Sequence, residues 1–187
     1  VSPEFKRFNN LYESGRSQVV WTTFVADLET PVSTFLKLAV GRPNSFLLES
    51  VEGGAVRGRY SIIGLKPDVI WRCFGAHAEV NTRARFDQKT FVECDETAIV
   101  SMRNLINGSK IDLPDHLPPM SAGLVGYVGY DMVKHMETLP ESNPDSLKFP
   151  DAILMRPTIM AIFDSVEDRL TLVTPVWPDE GLNSEMA

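Results

Sequence analysis

Two apolar runs facing each other across a Gly-Gly pair constrain this chain more than any other feature. The first is Ser45-Phe46-Leu47-Leu48-Glu49-Ser50-Val51, and Glu52-Gly53-Gly54-Ala55 follows it. The second is Val56-Arg57-Gly58-Arg59-Tyr60-Ser61-Ile62-Ile63-Gly64. The pattern predicts a β-hairpin, because glycine supplies the positive φ that a tight turn demands. With Gly53-Gly54 at the centre, Val51 faces Val56, Ser50 faces Arg57, Glu49 faces Gly58 and Leu48 faces Arg59. Alternation then puts Leu48, Ser50, Arg57 and Arg59 on one face. Leu47, Glu49, Val51, Val56, Tyr60 and Ile62 take the other, with room opposite Glu49 where Gly58 has no side chain. Glu49 and Ser50 are chemically odd in so apolar a strand, since a carboxylate at a buried surface needs a partner or a purpose.

The remaining elements can be read around that hairpin. Phe5 to Tyr12 predicts a short helix that Gly15 ends, and Gln18 to Asp27 is rich in β-branched and aromatic residues and predicts a strand. Thr30-Pro31 announces a helix through Leu38, with Thr30 as cap, Pro31 in the first turn and Phe35, Leu38 and Ala39 inward. Lys66-Pro67 marks a break before a strand at Val69–Phe74, and further strands are expected near 76–81 and 90–93. A second helix is expected from a cap at Asp95 to Ile106, with Gly108 beyond its end. Pro114, Pro118 and Pro119 make 110–120 a loop, and a glycine-spaced strand spans Ser121–Tyr130 before a short helix at 131–137. The stretch 140–150 reads as an exposed linker. A last hairpin, 152–164 with 169–176, turns at Ser165–Asp168, and Pro175 and Pro178 suggest an exposed tail. The fold class is α+β, with mostly antiparallel sheet and packed helices.

Composition narrows the partners. A net charge of -7 argues against a nucleic-acid surface, which needs clustered Lys and Arg. No run approaches the roughly 18 apolar residues of a membrane span. Val1–Phe8 shows no apolar signal region. Two cysteines, Cys73 and Cys94, without CxxC spacing suit free thiols in a reducing cytoplasm. His77, His116 and His135 are scattered, and no metal site is expected in this chain.

Spacing alone reveals no catalytic constellation. Gly123-x-x-Gly126-x-x-Gly129 lacks the strand–loop–helix setting and the Gly-Lys pair of a phosphate loop, so close backbone packing is the expectation. Arg57 and Arg59 have the chemistry to grip a carboxylate, and equally the chemistry of solvated hairpin arginines. Glu49 and Ser50 fit a polar strand edge as well as a ligand contact.

Three blocks together resemble the amino-terminal half of anthranilate synthase component I: Thr30-Pro31-Val32-Ser33-Thr34-Phe35-Leu36-Lys37-Leu38, the Leu47-Leu48-Glu49-Ser50 strand leading to Gly58-Arg59-Tyr60-Ser61, and Gly123–Asp131. The last hairpin also fits, so the resemblance covers nearly all of residues 1–187. It implies that the chain is the regulatory amino-terminal domain, with the chorismate-binding catalytic domain absent and no catalytic residue here. In that family chorismate becomes anthranilate in tryptophan biosynthesis, with Mg2+ bound in the other half and ammonia from a glutamine amidotransferase subunit. The Leu-Leu-Glu-Ser strand resembles the family's feedback site for L-tryptophan. By that likeness Ser50 contacts the amino-acid head, Glu49 and Leu48 line the pocket, and Arg59 and Tyr60 contribute. The corresponding half of aminodeoxychorismate synthase and a free-standing small-molecule-binding module are the alternatives.

Overall fold

A computed structural model describes residues 3–51, 57–140 and 146–178. The Gly53-Gly54 turn expected from the sequence, part of the 140–150 linker and the tail beyond Pro178 lie outside them. The elements run α1 (Pro3–Glu13), β1 (Gln18–Val25), α2 (Pro31–Leu38), β2 (Phe46–Val51), β3 (Arg57–Phe74), β4 (His77–Asn81), β5 (Val92–Glu93), α3 (Ala98–Gly108), β6 (Val125–Val128), a 3-10 helix (Tyr130–His135), β7 (Ala152–Asp164) and β8 (Arg169–Val176). The strand pairs are antiparallel, and the α+β class read from the sequence is the class observed.

The described residues cluster into two compact units. The first comprises Val1–Lys66, Ile111–Gly123 and Pro157–Ala187, and the second Pro67–Lys110 and Leu124–Arg156. β3 and β7 each give one half to either unit.

In the first unit β1 pairs with β8, β8 with β7, and β2 with β3. One face of this sheet buries Ile63, Leu65, Ala161 and Phe163, and α2 lays Phe35 and Leu38 on it. The helix starts where the sequence places it. The Thr30 hydroxyl accepts from the Ser33 amide (3.1 Å), and the Ser33 hydroxyl accepts from the Thr30 amide (2.9 Å), so two otherwise unpaired donors are satisfied reciprocally. The opposite face buries Ile62, Met160, Ile162 and Val173, with Val19, Phe46 and Tyr60 packed against them. Pro175 is buried inside β8 opposite Val19, and not in an exposed tail. The β7–β8 ladder runs only to Val173, so the missing amide hydrogen of Pro175 leaves no β7 bond unmade.

The expected break at Lys66-Pro67 is absent: β3 runs unbroken for 18 residues. Lys66 sits within it at a φ of 51°, and the Thr158 hydroxyl donates to its carbonyl at 2.6 Å. Pro67 itself is fully buried.

The core of the second unit forms around Trp71, Cys73, Ala78, Ala98, Met132 and Ala152, with Ile99, Met102 and Leu105 of α3 packed against it. Trp71 is 1% exposed, and its indole Nε1 donates to Ser101 Oγ at 3.0 Å. The cap of α3 is Thr97 rather than Asp95, without a side-chain bond, and Gly108 falls inside the helix rather than beyond it. The glycine-spaced stretch is strand only over Val125–Val128, and the short helix after it is of the 3-10 type. A Cβ on Gly126 would lie 1.9 Å from the Ile153 carbonyl oxygen, and one on Gly129 2.7 Å from that of Asp151. Close backbone packing therefore accounts for both glycines.

Candidate functional site

The hairpin forms, but its register differs from the one a two-residue turn dictates. Phe46 faces Gly64, Leu47 faces Ile63, Leu48 faces Ile62 and Glu49 faces Ser61; after an irregularity Val51 faces Arg57. Relative to the simple turn, the stem has slid by an odd number of residues, which exchanges the faces of β3. Packing explains the choice. The Phe46 ring lies where a side chain on Gly64 would be, 2.2 Å from an added Cβ, and Leu47 joins Ile63 in a buried cluster. The extra residues of β3 are absorbed in a bulge, with Ser50 alone opposite the Gly58–Tyr60 stretch.

The bulge brings Ser50 onto Gly58. A Cβ there would sit 1.8 Å from Ser50 Oγ and 2.3 Å from its carbonyl oxygen. The space expected opposite Glu49 is thus filled by Ser50, and Glu49 looks across at Ser61. Leu48, Glu49 and Ser50 are all exposed, Leu48 by 45%. Leu48 shares its face with Ile62, and Tyr60 packs into the cluster of that face. An exposed hydroxyl therefore stands at the end of an apolar strip.

Arg59 is engaged within the protein. Its Nε donates to both oxygens of Asp164 at 3.0 Å and its Nη2 to Oδ2 at 2.7 Å. The guanidinium also lies 4.9 Å from the centre of the Tyr60 ring. Asp164 is buried, and the Arg59 guanidinium holds its carboxyl below the usual aspartate range, as do the Val166 and Glu167 amides that donate to it. For Arg57, named with Arg59 as a carboxylate grip, only the backbone is described.

Elsewhere the second unit sets Cys73 Sγ 4.0 Å from His135 Nε2, a meeting that a separation of 62 positions hides from sequence reading. Burial pushes the Cys73 thiol up to about 11, the reverse of what a nucleophile needs. The open concavity lined by Lys134–Pro140 includes none of the five hairpin residues. Among the described residues no cluster of three or more His, Cys, Asp or Glu is arranged to hold a metal ion, and no helix is long and apolar enough to cross a membrane.

The fold and the exposed Leu48-Glu49-Ser50 end of β2 define an α+β segment with a polar group set beside an apolar strip. No protein-family model matches the chain. It is similar to anthranilate synthase component 1 of Cereibacter sphaeroides, with 46% identity over 183 residues, which are 98% of this chain and 37% of that protein. The same-named protein of Thermus thermophilus is 40% identical over 155 residues, covering 82% of this chain and 31% of the relative. The crystal structure of anthranilate synthase component I from Streptococcus pneumoniae shares the fold, with a TM-score of 0.50 and 19% identity across 87% of this chain and 32% of that one. The chain belongs with the amino-terminal part of anthranilate synthase component I, and spans about a third of the length of those relatives.

Proposed function

We propose that the chain serves as the amino-terminal part of an anthranilate synthase large subunit and carries one wall of its tryptophan feedback site. In this reading the complete subunit converts chorismate to anthranilate, with ammonia from a glutamine amidotransferase partner, and Mg2+ and chorismate bind outside this segment. Ser50 meets the charged head of tryptophan, Leu48 and Tyr60 offer apolar contact to the indole, and Glu49 stands beside the ammonium. A zwitterion with an aromatic side chain needs such a pairing of polar end and apolar wall. Arg59 contributes indirectly, because Asp164 already occupies its guanidinium. Inhibition is then a coupling between two sites, tryptophan favouring a state that binds chorismate poorly.

The observation that carries this is the exposed Ser50 hydroxyl seated on Gly58 beside exposed Leu48, within a segment so similar to anthranilate synthase component 1. The test is Ser50→Phe in the large-subunit polypeptide that contains this segment. Synthase turnover should persist while tryptophan no longer inhibits, because the ring fills the space of the ligand head. Inhibition at the same tryptophan concentration as before would sink the assignment.

A further inference from the structure

We infer that Asp164 and Ser165, at the turn between β7 and β8, are positioning residues for the Ser50 site and set its affinity for tryptophan from outside the pocket. This rests on the feedback-site reading above. Asp164, the last residue of β7, receives Arg59 through Nε and Nη2, and its Oδ1 also accepts the Val166 amide at 3.0 Å. One carboxylate therefore holds both the turn and the arginine. Ser165 adds a second grip: its amide donates to the Arg59 carbonyl at 2.8 Å, and its hydroxyl to the carbonyls of Arg59 (3.0 Å) and Gly58 (3.2 Å). Gly58 in turn is the residue on which Ser50 Oγ rests.

The contacts thus run without a gap from the β7–β8 turn through Gly58-Arg59 to Ser50. The bulge makes this linkage matter. No regular β2 partner is assigned to Gly58, Arg59 or Tyr60 between the Glu49–Ser61 and Val51–Arg57 pairs. Their location is therefore set from the β7–β8 side. A bidentate arginine–carboxylate pair fixes orientation as well as distance. A binding group displaced by about 0.5 Å already falls outside productive geometry. Arg59 is accordingly a strut, and its side chain is not the ligand's carboxylate clamp.

The experiment compares Asp164→Asn, Ser165→Ala and Asp164→Glu in the same large-subunit polypeptide, with Ser50→Phe in parallel and tryptophan as the probe. Asp164→Asn should raise the half-inhibitory tryptophan concentration about tenfold, in the range of ordinary coupling between sites. Its kcat and KM for chorismate should move far less. Ser165→Ala, which deletes only the two hydroxyl contacts, should give a smaller shift in the same direction, and Asp164→Glu should keep most of the wild-type sensitivity. If Ser50→Phe abolishes inhibition while both Asp164→Asn and Ser165→Ala leave it unchanged, the positioning role is wrong and the feedback site stands. A fall in kcat with Asp164→Asn, without any shift in inhibition for Ser165→Ala, also overturns it in favour of a purely structural turn. If Ser50→Phe itself leaves inhibition intact, the feedback site and the positioning role fail together.

Discussion

Polar groups are treated in opposite ways at Trp71 and at Ser50. Around Trp71 every step of the polar chain is closed: the indole donates to Ser101 Oγ, and that hydroxyl donates to the Ala98 carbonyl at 3.1 Å. Both side chains are buried, and a buried donor left open would cost about 1–3 kcal/mol. At the Ser50 end of β2 the hydroxyl and the Glu49 carboxylate are exposed beside an exposed leucine. None of the side-chain hydrogen bonds among the described residues uses the Ser50 hydroxyl. A region that must satisfy itself builds stability, and one that need not is free to serve another molecule.

Trp71→Ala should show the largest effect and tests the first half of that contrast. Removing a 1% exposed indole leaves a cavity and takes away the donor to Ser101 Oγ, so urea unfolding should report a loss of about 3–5 kcal/mol. A loss below about 1 kcal/mol would mean that the second unit does not depend on this core.

The glycines rank next and sharpen the comparison. An added Cβ on Gly126 meets the backbone oxygen of Ile153 at 1.9 Å, whereas on Gly64 it meets the ring of Phe46 at 2.2 Å. Backbone in a paired strand yields less easily than a ring that can rotate. Gly126→Ala should therefore cost about 1–3 kcal/mol, as overpacking does, and Gly64→Ala less, both read by chemical denaturation. The reverse order would show that the Phe46 ring is locked, and that the hairpin stem is as rigid as the β6–β7 pair.

These positions also show what was legible in the sequence. The start of α2 was, because Thr30, Pro31 and Ser33 act within one turn and a cap is a local device. The strand content of the hairpin was legible too, from its β-branched and apolar runs. Its register was not. The Gly-Gly pair suggested a turn, but register was decided by Phe46 against Gly64 and Leu47 against Ile63, contacts that alternation alone cannot rank. The same holds for Lys66-Pro67, where Thr158, 92 positions away, holds the carbonyl of a residue at positive φ. At the candidate site Leu48, Glu49 and Ser50 were nameable from resemblance, yet the engagement of Arg59 by Asp164 spans 105 positions and leaves no local signal.

The Arg59–Asp164 pair lies between the two extremes, with a buried acid and a half-exposed base. Because the folded carboxyl of Asp164 is held below its unfolded value of about 3.9, the folded state binds this proton less readily than the unfolded chain. The stabilisation is complete above that unfolded value and is lost as pH falls through the lowered folded one. Melting temperature should accordingly decline below about pH 4 more steeply in wild type than in Asp164→Asn. Parallel acid limbs would show that the pair contributes no linkage.

The smallest expected effect is the most telling for the contrast. Ser50→Ala removes an exposed hydroxyl and keeps the small side chain that the close approach to Gly58 tolerates. Stability should change by no more than about 0.5 kcal/mol, the scale of surface substitutions away from special features. Equilibrium denaturation with the wild-type chain as reference measures this directly. A loss of more than about 1 kcal/mol, the typical worth of a hydrogen bond, would reveal that the hydroxyl is bonded within the fold. Ser50 would then belong with Trp71 among the self-satisfied groups, and its polarity would need no ligand to explain it. A neutral outcome leaves the hydroxyl without a folding role, as a contact reserved for something outside the segment should be.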